Sequence, residues 1–261
     1  MTDKTRTSQT LARGLEVLNC FLPASGTDPR QESQELGIKQ MVDRLGLPHT
    51  VVSRLVATLT EYGYLQQNPA TKKYHLGLVA FLLGQAASPE LALRRAAWPA
   101  MTELAERTRE TVSLNIVDPV TMNGVCIASI DSPAEIKLTT RVGSVRPLHR
   151  GATRKVLLAF LDPWRQEQYC SRFSDWTDGE LERLRRELEQ IRAQGYAYSE
   201  EELDPGAFAI AAPILATGGQ LLGSIAVAGP IFRKTPESLR AWTEWVMAAA
   251  RSVQDALARQ R

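Results

Sequence analysis

The stretch Gln34–Tyr64 reads QELGIKQMVDRLGLPHTVVSRLVATLTEYGY. Ile38, Met41, Val42 and Leu45 recur at i, i+3, i+4 and i+7, the spacing of one apolar helix face. Gly46 is placed to end that helix as a left-handed cap. Pro48 suits the first position of the next helix, because its φ is preset and it needs no amide partner there. A second apolar face runs through Val51 or Val52, Leu55 and Leu59, and Gly63 closes it. Two short amphipathic helices across a tight Gly-containing turn predict a helix-turn-helix, whose second helix can enter a major groove. Any pair of packed helices shares that pattern, so the next residues decide. Tyr64–Gln67 and Lys73–Leu76 are extended runs around the turn-rich Asn68-Pro69-Ala70-Thr71-Lys72. A helix-turn-helix followed at once by a hairpin is a winged helix, and double-stranded DNA is the partner it predicts.

Outward from this stretch, Leu11, Leu15, Leu18 and Leu22 share a stripe, which predicts a first helix over Thr10–Phe21 after a frayed, polar Met1–Gln9. Pro23–Gln34 reads as a loop. Gly77–Ala87 reads as an apolar helix with Leu78, Phe81 and Leu82 on one side, broken by Ser88-Pro89. Leu91–Thr108 is helical, with a new segment or a kink expected at Pro99. Thr111–Val117, Val125–Ile130 and Ile136–Arg141 read as strands, with Gly143–Gly151 irregular. Thr153–Leu161 returns to helix, and Pro163 opens a further short one. Thr177 and Glu180 form a capping box ahead of Leu181, Leu184, Leu188 and Ile191, and Gly195 ends that helix. Tyr196–Ser199, Ala207–Leu215 and Leu221–Ala228 are strands, the last two joined through Gly218-Gly219. Thr235 caps a final helix whose apolar side carries Leu239, Trp242, Val246, Ala250, Val253 and Leu257. Strands that come as neighbours and hairpins, with helices around them, predict an α+β class and not a βαβ repeat.

Composition excludes several functions. At 261 residues the chain has room for two domains, and its net charge of +2 rules out a blanket coat for nucleic acid, so DNA contact must be local. No run approaches the roughly 18 apolar residues of a membrane span, and MTDKTRTSQT lacks a signal-peptide core. Cys20, Cys126 and Cys170 are odd in number and far apart, which fits reduced thiols in a cytoplasm. His49, His75 and His149 have no ligand-type residue at helical spacing, and neither a zinc-type Cys pair, a phosphate loop nor a GxSxG elbow occurs. No catalytic residue, metal or cofactor is expected, and an enzyme is not. The run Glu200-Glu201-Glu202 reads as a solvated face.

Arg13-Gly14-Leu15-Glu16-Val17-Leu18, Leu45-Gly46-Leu47-Pro48, Arg54-Leu55, Gly63-Tyr64-Leu65 and Tyr74-His75-Leu76-Gly77 follow one another in the order of a known pattern. Pro147-Leu148-His149, Lys155-Val156-Leu157-Leu158-Ala159, Gly195-Tyr196-Ala197, Ala211-Ala212-Pro213-Ile214 and Gly229-Pro230 continue it. In these the chain resembles the IclR family of bacterial transcriptional regulators along nearly its whole length. The resemblance implies a winged helix-turn-helix over 1–76, a linker helix over 77–88 with dimer contacts, and a GAF-like antiparallel sheet domain with flanking helices over 89–261 that binds a small-molecule effector. It implies a homodimer or homotetramer.

The DNA-binding candidates are His49, Thr50 and Ser53 at base edges and Arg44, Lys72 and Lys73 at phosphates. Arg54, one turn further on, is either a DNA contact or a salt-bridge partner of Glu61 or Asp43. The family carries Lys or Arg after the proline and Thr two positions later, where this chain has His49 and Val51. Carried over by position, the effector pocket involves Arg146, Ala152, Thr153, Ser199, Ala207, Ala209, Ala226 and Ala228. Ala stands where the family has Cys or Ser, and Arg150 and Arg154 replace small residues. Such a pocket is either plugged or roomier and more apolar, with Arg146, alone or with Arg141, placed to pair a carboxylate. The leading expectation is a ligand-responsive transcriptional regulator, repressor or activator, that senses a small organic acid with an aromatic or otherwise apolar body. Its rivals are an interaction or sensor module with weakened DNA binding and an enzyme on a sensor-like fold.

Overall fold

The computed structural model describes residues 8–22, 35–86, 88–173 and 176–259, so most of the polar Met1–Gln9 start and the Pro23–Gln34 loop lie outside the described residues. The chain divides into two compact units between Ser88 and Pro89.

The first unit contains α1 (Gln9–Asn19), α2 (Ile38–Leu45), α3 (His49–Glu61), β1 (Leu65–Gln67), β2 (Tyr74–Leu76) and α4 (Leu78–Ala86). Gly46 caps α2 at φ 65°, with its amide on the Val42 carbonyl, as expected. Pro48 is the N-cap of α3 and not its first residue; its carbonyl receives the Val51 and Val52 amides at 2.9 and 3.1 Å. The core is Val17, Met41, Val52, Val56 and Leu65, with Leu55 and Leu59 half-buried beside them. The leucine stripe expected on α1 faces the wrong way: Val17 and Cys20 turn inward, which leaves Leu11, Leu15 and Leu22 more than half exposed. The hairpin β1–β2 pairs Leu65 with Leu76 and Gln67 with Tyr74. Leu36 bridges Tyr74 from the other side and ties the wing to the start of α2. Leu78, Phe81, Leu82 and Leu83 of α4 are all 54–68 % exposed, and no described side chain of this helix is buried within its unit.

The second unit is built on a six-stranded antiparallel sheet in the order β5-β4-β3-β8-β7-β6. Its strands are β3 (Thr111–Val117), β4 (Asn123–Ile130), β5 (Val145–Pro147), β6 (Ala197–Glu200), β7 (Ala207–Leu215) and β8 (Leu221–Pro230). α5 (Ser88–Thr108) and α9 (Pro236–Ala258) cover one face, burying Leu93, Met101, Leu104, Trp242 and Val246 against Leu114, Ile210, Ile225 and Val227. α6 (Ala152–Phe160), α7 (Pro163–Cys170) and α8 (Asp178–Gln194) contribute to the core on the other face, where Val156, Leu188 and Ile191 meet Ala197, Ala211 and Ala226. The fold is α+β.

α4 ends at Ala86 and α5 begins at Ser88, while α5 continues through Pro99, so no new segment starts there; buried Ala96, Ala97, Ala100 and Met101 lie on both sides of Pro99, and their packing outweighs one missing backbone bond. One expectation fails here. Residues 136–141 are no strand. They follow Pro133 in a bent segment whose Ile136 and Leu138 carbonyls are taken by Arg233 Nη1 at 2.8 Å and Thr111 Oγ1 at 2.5 Å. The edge partner of β4 is β5, inside the stretch expected to be irregular, with Asn123 opposite Pro147.

Candidate nucleic-acid interface and ligand site

His49, Thr50, Arg54, Ala57, Thr58 and Glu61 form one exposed face of α3, with Ser53 half-buried among them. Their spacing of three and four keeps them on one side while Val52 and Val56 hold the opposite side in the core. Ser53 Oγ lies 3.3 Å from His49 Nδ1, so these two candidate base readers orient one another at the start of the helix. The Arg54 guanidinium meets neither Glu61 nor Asp43 and has no ion pair among the described residues. Arg44 is partly committed elsewhere: Nη1 donates to the Cys20 carbonyl at 2.7 Å and fastens α2 to the end of α1.

The wing tip carries Lys72, exposed at φ 58°, and Lys73, half-buried. Asn68 builds the turn, its Oδ1 accepting from the Ala70 amide at 2.9 Å. Glu35 clamps it, accepting from Asn68 Nδ2 at 2.6 Å and Thr71 Oγ1 at 2.7 Å. Those two bonds hold the Glu35 carboxyl below the usual carboxylate range. Nothing in the local sequence points to Glu35, because its partners lie more than thirty residues away.

In the second unit the strand register lays out rows of small residues. Thr111, Ala228, Ala209 and Ser199 stand side by side across β3, β8, β7 and β6; Ser113, Ala226, Ala211 and Ala197 form the next row. These rows face the N-terminal end of α6. Ala226 and Ala211 are covered, but Ala228 and Ala209 are only half-buried, and Ala207 is buried further along β7. The Ala152 amide donates to Ser199 Oγ at 2.8 Å, the Gly151 amide to Glu202 Oε2 at 3.0 Å, and the Arg154 and Lys155 amides turn back to the Gly151 carbonyl. Thr153 is buried with its carbonyl accepting from Ser224 Oγ at 3.1 Å, and its amide is the first-turn donor with no partner among the described residues. The fold therefore brings Ala152, Thr153, Ser199 and the alanines together. Arg146 is apart from them: it lies half-buried on β5, the opposite edge of the sheet from Ser199.

Glu200 and Glu201 of the triple-Glu run are exposed, as a solvated face requires, and Glu202 is half-buried, but the run also carries specific bonds. Glu202 accepts from Lys155 Nζ at 2.6 Å, and Glu187 is that ammonium's second partner. Glu200 pairs with Lys234 at 2.7 Å, and Glu201 accepts from the Gly206 amide at 2.9 Å. The loop 201–206 folds over the start of α6, and the buried Lys155 demands the counter-charge it brings. Leu203 packs directly over Gly151. The Pro-Leu-His segment is likewise structural. Tyr169 Oη accepts from the Leu148 and His149 amides at 2.8 and 3.3 Å and lies 2.8 Å from His149 Nδ1, while Phe173 and Trp176 meet the imidazole edge-on. Burial, and then Arg150, push the His149 imidazole below its ordinary pKa, consistent with a neutral ring that anchors this loop.

A winged helix with a free recognition face, followed in one chain by an α+β sheet unit, is the plan of a one-component transcriptional regulator. Residues 10–69 match the IclR helix-turn-helix domain, and residues 85–255 match the bacterial transcriptional regulator IclR C-terminal domain. The chain belongs to the IclR family of bacterial transcriptional regulators. It is 31 % identical over 227 residues to the HTH-type transcriptional regulator KdgR of Escherichia coli (strain K12), covering 85 % of this chain and 86 % of that one. It is 32 % identical over 257 residues to BhcR of Paracoccus denitrificans (strain Pd 1222), covering 95 % and 87 %. Among solved structures, an IclR homolog from Microbacterium hydrocarbonoxydans complexed with 4-hydroxybenzoate superposes with a TM-score of 0.80 at 23 % identity, over 96 % of this chain and 100 % of that one. The protein is thus a DNA-binding regulator with an N-terminal winged helix and a C-terminal effector-binding domain. No helix among the described residues is long and apolar enough to cross a membrane.

Proposed function

We propose that this regulator reads its operator through His49, Thr50, Ser53 and Arg54, with Lys72 and Lys73 on phosphates, and releases or tightens DNA when a small organic acid binds its second unit in the cytoplasm. Residues 1–76 act as the reader, 77–88 as the linker and 89–261 as the sensor, without catalysis. The observation that carries the effector reading is the row Thr111–Ala228–Ala209–Ser199, whose two half-buried alanines give an apolar floor beneath the start of α6. That a homologue of the same fold holds 4-hydroxybenzoate supports an aromatic acid. Two-fold pairing is part of this reading: Leu78, Phe81, Leu82 and Leu83 on α4 and Leu11 and Leu15 on α1 are more apolar surface than a lone winged helix leaves in water. A thermal-shift screen of aromatic and aliphatic carboxylates on the full chain tests the effector. Stabilisation by at least one acid is expected, and none by any acid overturns it. A monomeric mass in sedimentation at micromolar concentration overturns the dimer.

A further inference from the structure

Arg154 stands in the first turn of α6 and is 6 % exposed, yet it has no ion pair among the described residues and its Nε has no hydrogen-bond partner there. Its side chain lies flat on β4. A Cβ on Gly124 would fall 2.8 Å from Arg154 Cγ and 3.4 Å from its Nε, so only glycine lets the guanidinium lie there. Its neighbours supply no negative charge. Cys126 is a buried thiol whose pKa is pushed up to about 11 by burial, and its Sγ donates to the Ala128 carbonyl at 3.3 Å. Arg146, the residue opposite Gly124 in the β4–β5 pairing, adds a second positive charge. Burial, and to a lesser extent the Arg146 charge, lower the Arg154 guanidinium from its ordinary value to about 10.

The next strand also holds a polar atom without a partner among the described residues. Asn115 on β3, opposite Cys126 on β4 and Ser224 on β8, is fully buried and its Oδ1 is unpaired. A buried polar atom left open calls for a partner. A buried guanidinium without an acid is costly, and an oxyanion is the group that its planar fork fits.

We propose that Arg154 is the anion-holding residue of the second unit: it pairs the carboxylate of a small organic acid against Gly124 and β3. This rests on the reading that the second unit takes an organic acid. Burial favours Arg154 over Arg146 for the role: Arg154 is buried with its Nε unpaired, whereas Arg146 is half-buried on the edge strand β5. Arg146 then reinforces the local positive potential without making the pair.

The test is thermal shift and calorimetry on the full chain with benzoate, 4-hydroxybenzoate and pyruvate, with the amide benzamide and inorganic phosphate as controls, on wild type, Arg154→Met, Arg154→Lys, Gly124→Ala and Arg146→Ala. At least one carboxylate should stabilise the wild type while benzamide does not. Arg154→Met should melt no lower than wild type without ligand, since it removes an unpaired buried charge, and should lose about tenfold or more in affinity for that acid. Arg154→Lys and Gly124→Ala, which keep the charge but lose the fork or displace it, should fall between, and Arg146→Ala should change binding less than Arg154→Lys. If Arg154→Met binds the acid as wild type does, the assignment is overturned while the acid reading stands; if Arg154→Met does not fold, wild-type binding by both Arg154→Lys and Gly124→Ala overturns it equally. If no carboxylate stabilises the wild type, both fall. If only phosphate does, the site holds an inorganic anion and the carboxylate proposal is wrong.

Discussion

Replacing Arg233 with Leu should be among the more damaging single changes in the second unit. Arg233 forms a bidentate pair with Glu110, Nε to Oε1 at 2.6 Å and Nη2 to Oε2 at 2.8 Å, and its Nη1 holds the Ile136 carbonyl at 2.8 Å. Glu110 is 2 % exposed, and a Cβ on Gly229 would come within 2.6 Å of its carboxyl carbon, so the backbone is closed over it. Arg233→Leu would strand that carboxylate where water cannot reach it easily. Breaking a buried pair from one side costs about 3–5 kcal/mol. At 2–4 °C per kcal/mol for a unit of this size, the melting temperature should fall by roughly 6–20 °C. Arg233 is itself 27 % exposed, so water can follow the new side chain in and the lower half of that range is the better expectation. Urea unfolding followed by circular dichroism measures the loss. Glu110→Gln with Arg233→Leu should recover most of the loss. A single variant destabilised by less than about 1 kcal/mol, or a double variant as unstable as the single, shows that the pair does not carry this weight.

Replacing Lys72 and Lys73 with Ala should weaken binding to every DNA sequence and reduce the salt slope by about one unit for each phosphate no longer neutralised, read from anisotropy titrations at several salt concentrations. Thr50→Ala or Ser53→Ala should instead change base preference in a competition among operator variants, with the salt slope unchanged. Glu35→Gln should raise hydrogen exchange across 68–73, because the clamp on Asn68 and Thr71 is weakened. In the wild type that clamp has a depressed folded pKa, so its contribution is present above the ordinary carboxylate pKa and lost as pH falls through the folded value; an NMR titration of Glu35 that ends at or above the ordinary value contradicts this. Lys155→Met should leave Glu187 and Glu202 without their shared cation and loosen 200–206, visible as faster proteolysis in that loop.

Local rules carried much of the fold. The α2–turn–α3 pattern, Gly46, the Thr177–Glu180 box, Gly195 and the Thr235-Pro236 start all depend on neighbours within a few residues, and each stands where the spacing put it. What failed depended on distant partners. The outward leucines of α1 look like a core stripe until Val17 is seen against α3, and 136–141 has strand composition but gives its carbonyls to Thr111 and Arg233. The candidate site was legible in the same proportion. Ser199 and the alanines share a face because strands alternate, and register then aligns them. Arg146 stood out because it precedes the Pro-Leu-His motif, yet strand order sends it to the far edge. Arg154 was visible only as a departure from the family's small residues, since the Gly124 floor that seats it lies thirty residues earlier in the chain. The pairing of Lys155 with Glu202 could not be read from a run of three acids.

Whether this chain is a ligand-controlled DNA reader is decided by an anisotropy titration of the full protein on a labelled fragment of its own upstream DNA, with and without an acid that stabilises it. Saturable binding that unlabelled upstream DNA competes but random DNA of equal length does not, weakened by Arg54→Ala and shifted at least severalfold in midpoint by the acid, is the expected outcome. Equal affinity for random DNA, or a midpoint that the bound acid leaves unmoved, would rule such a reader out.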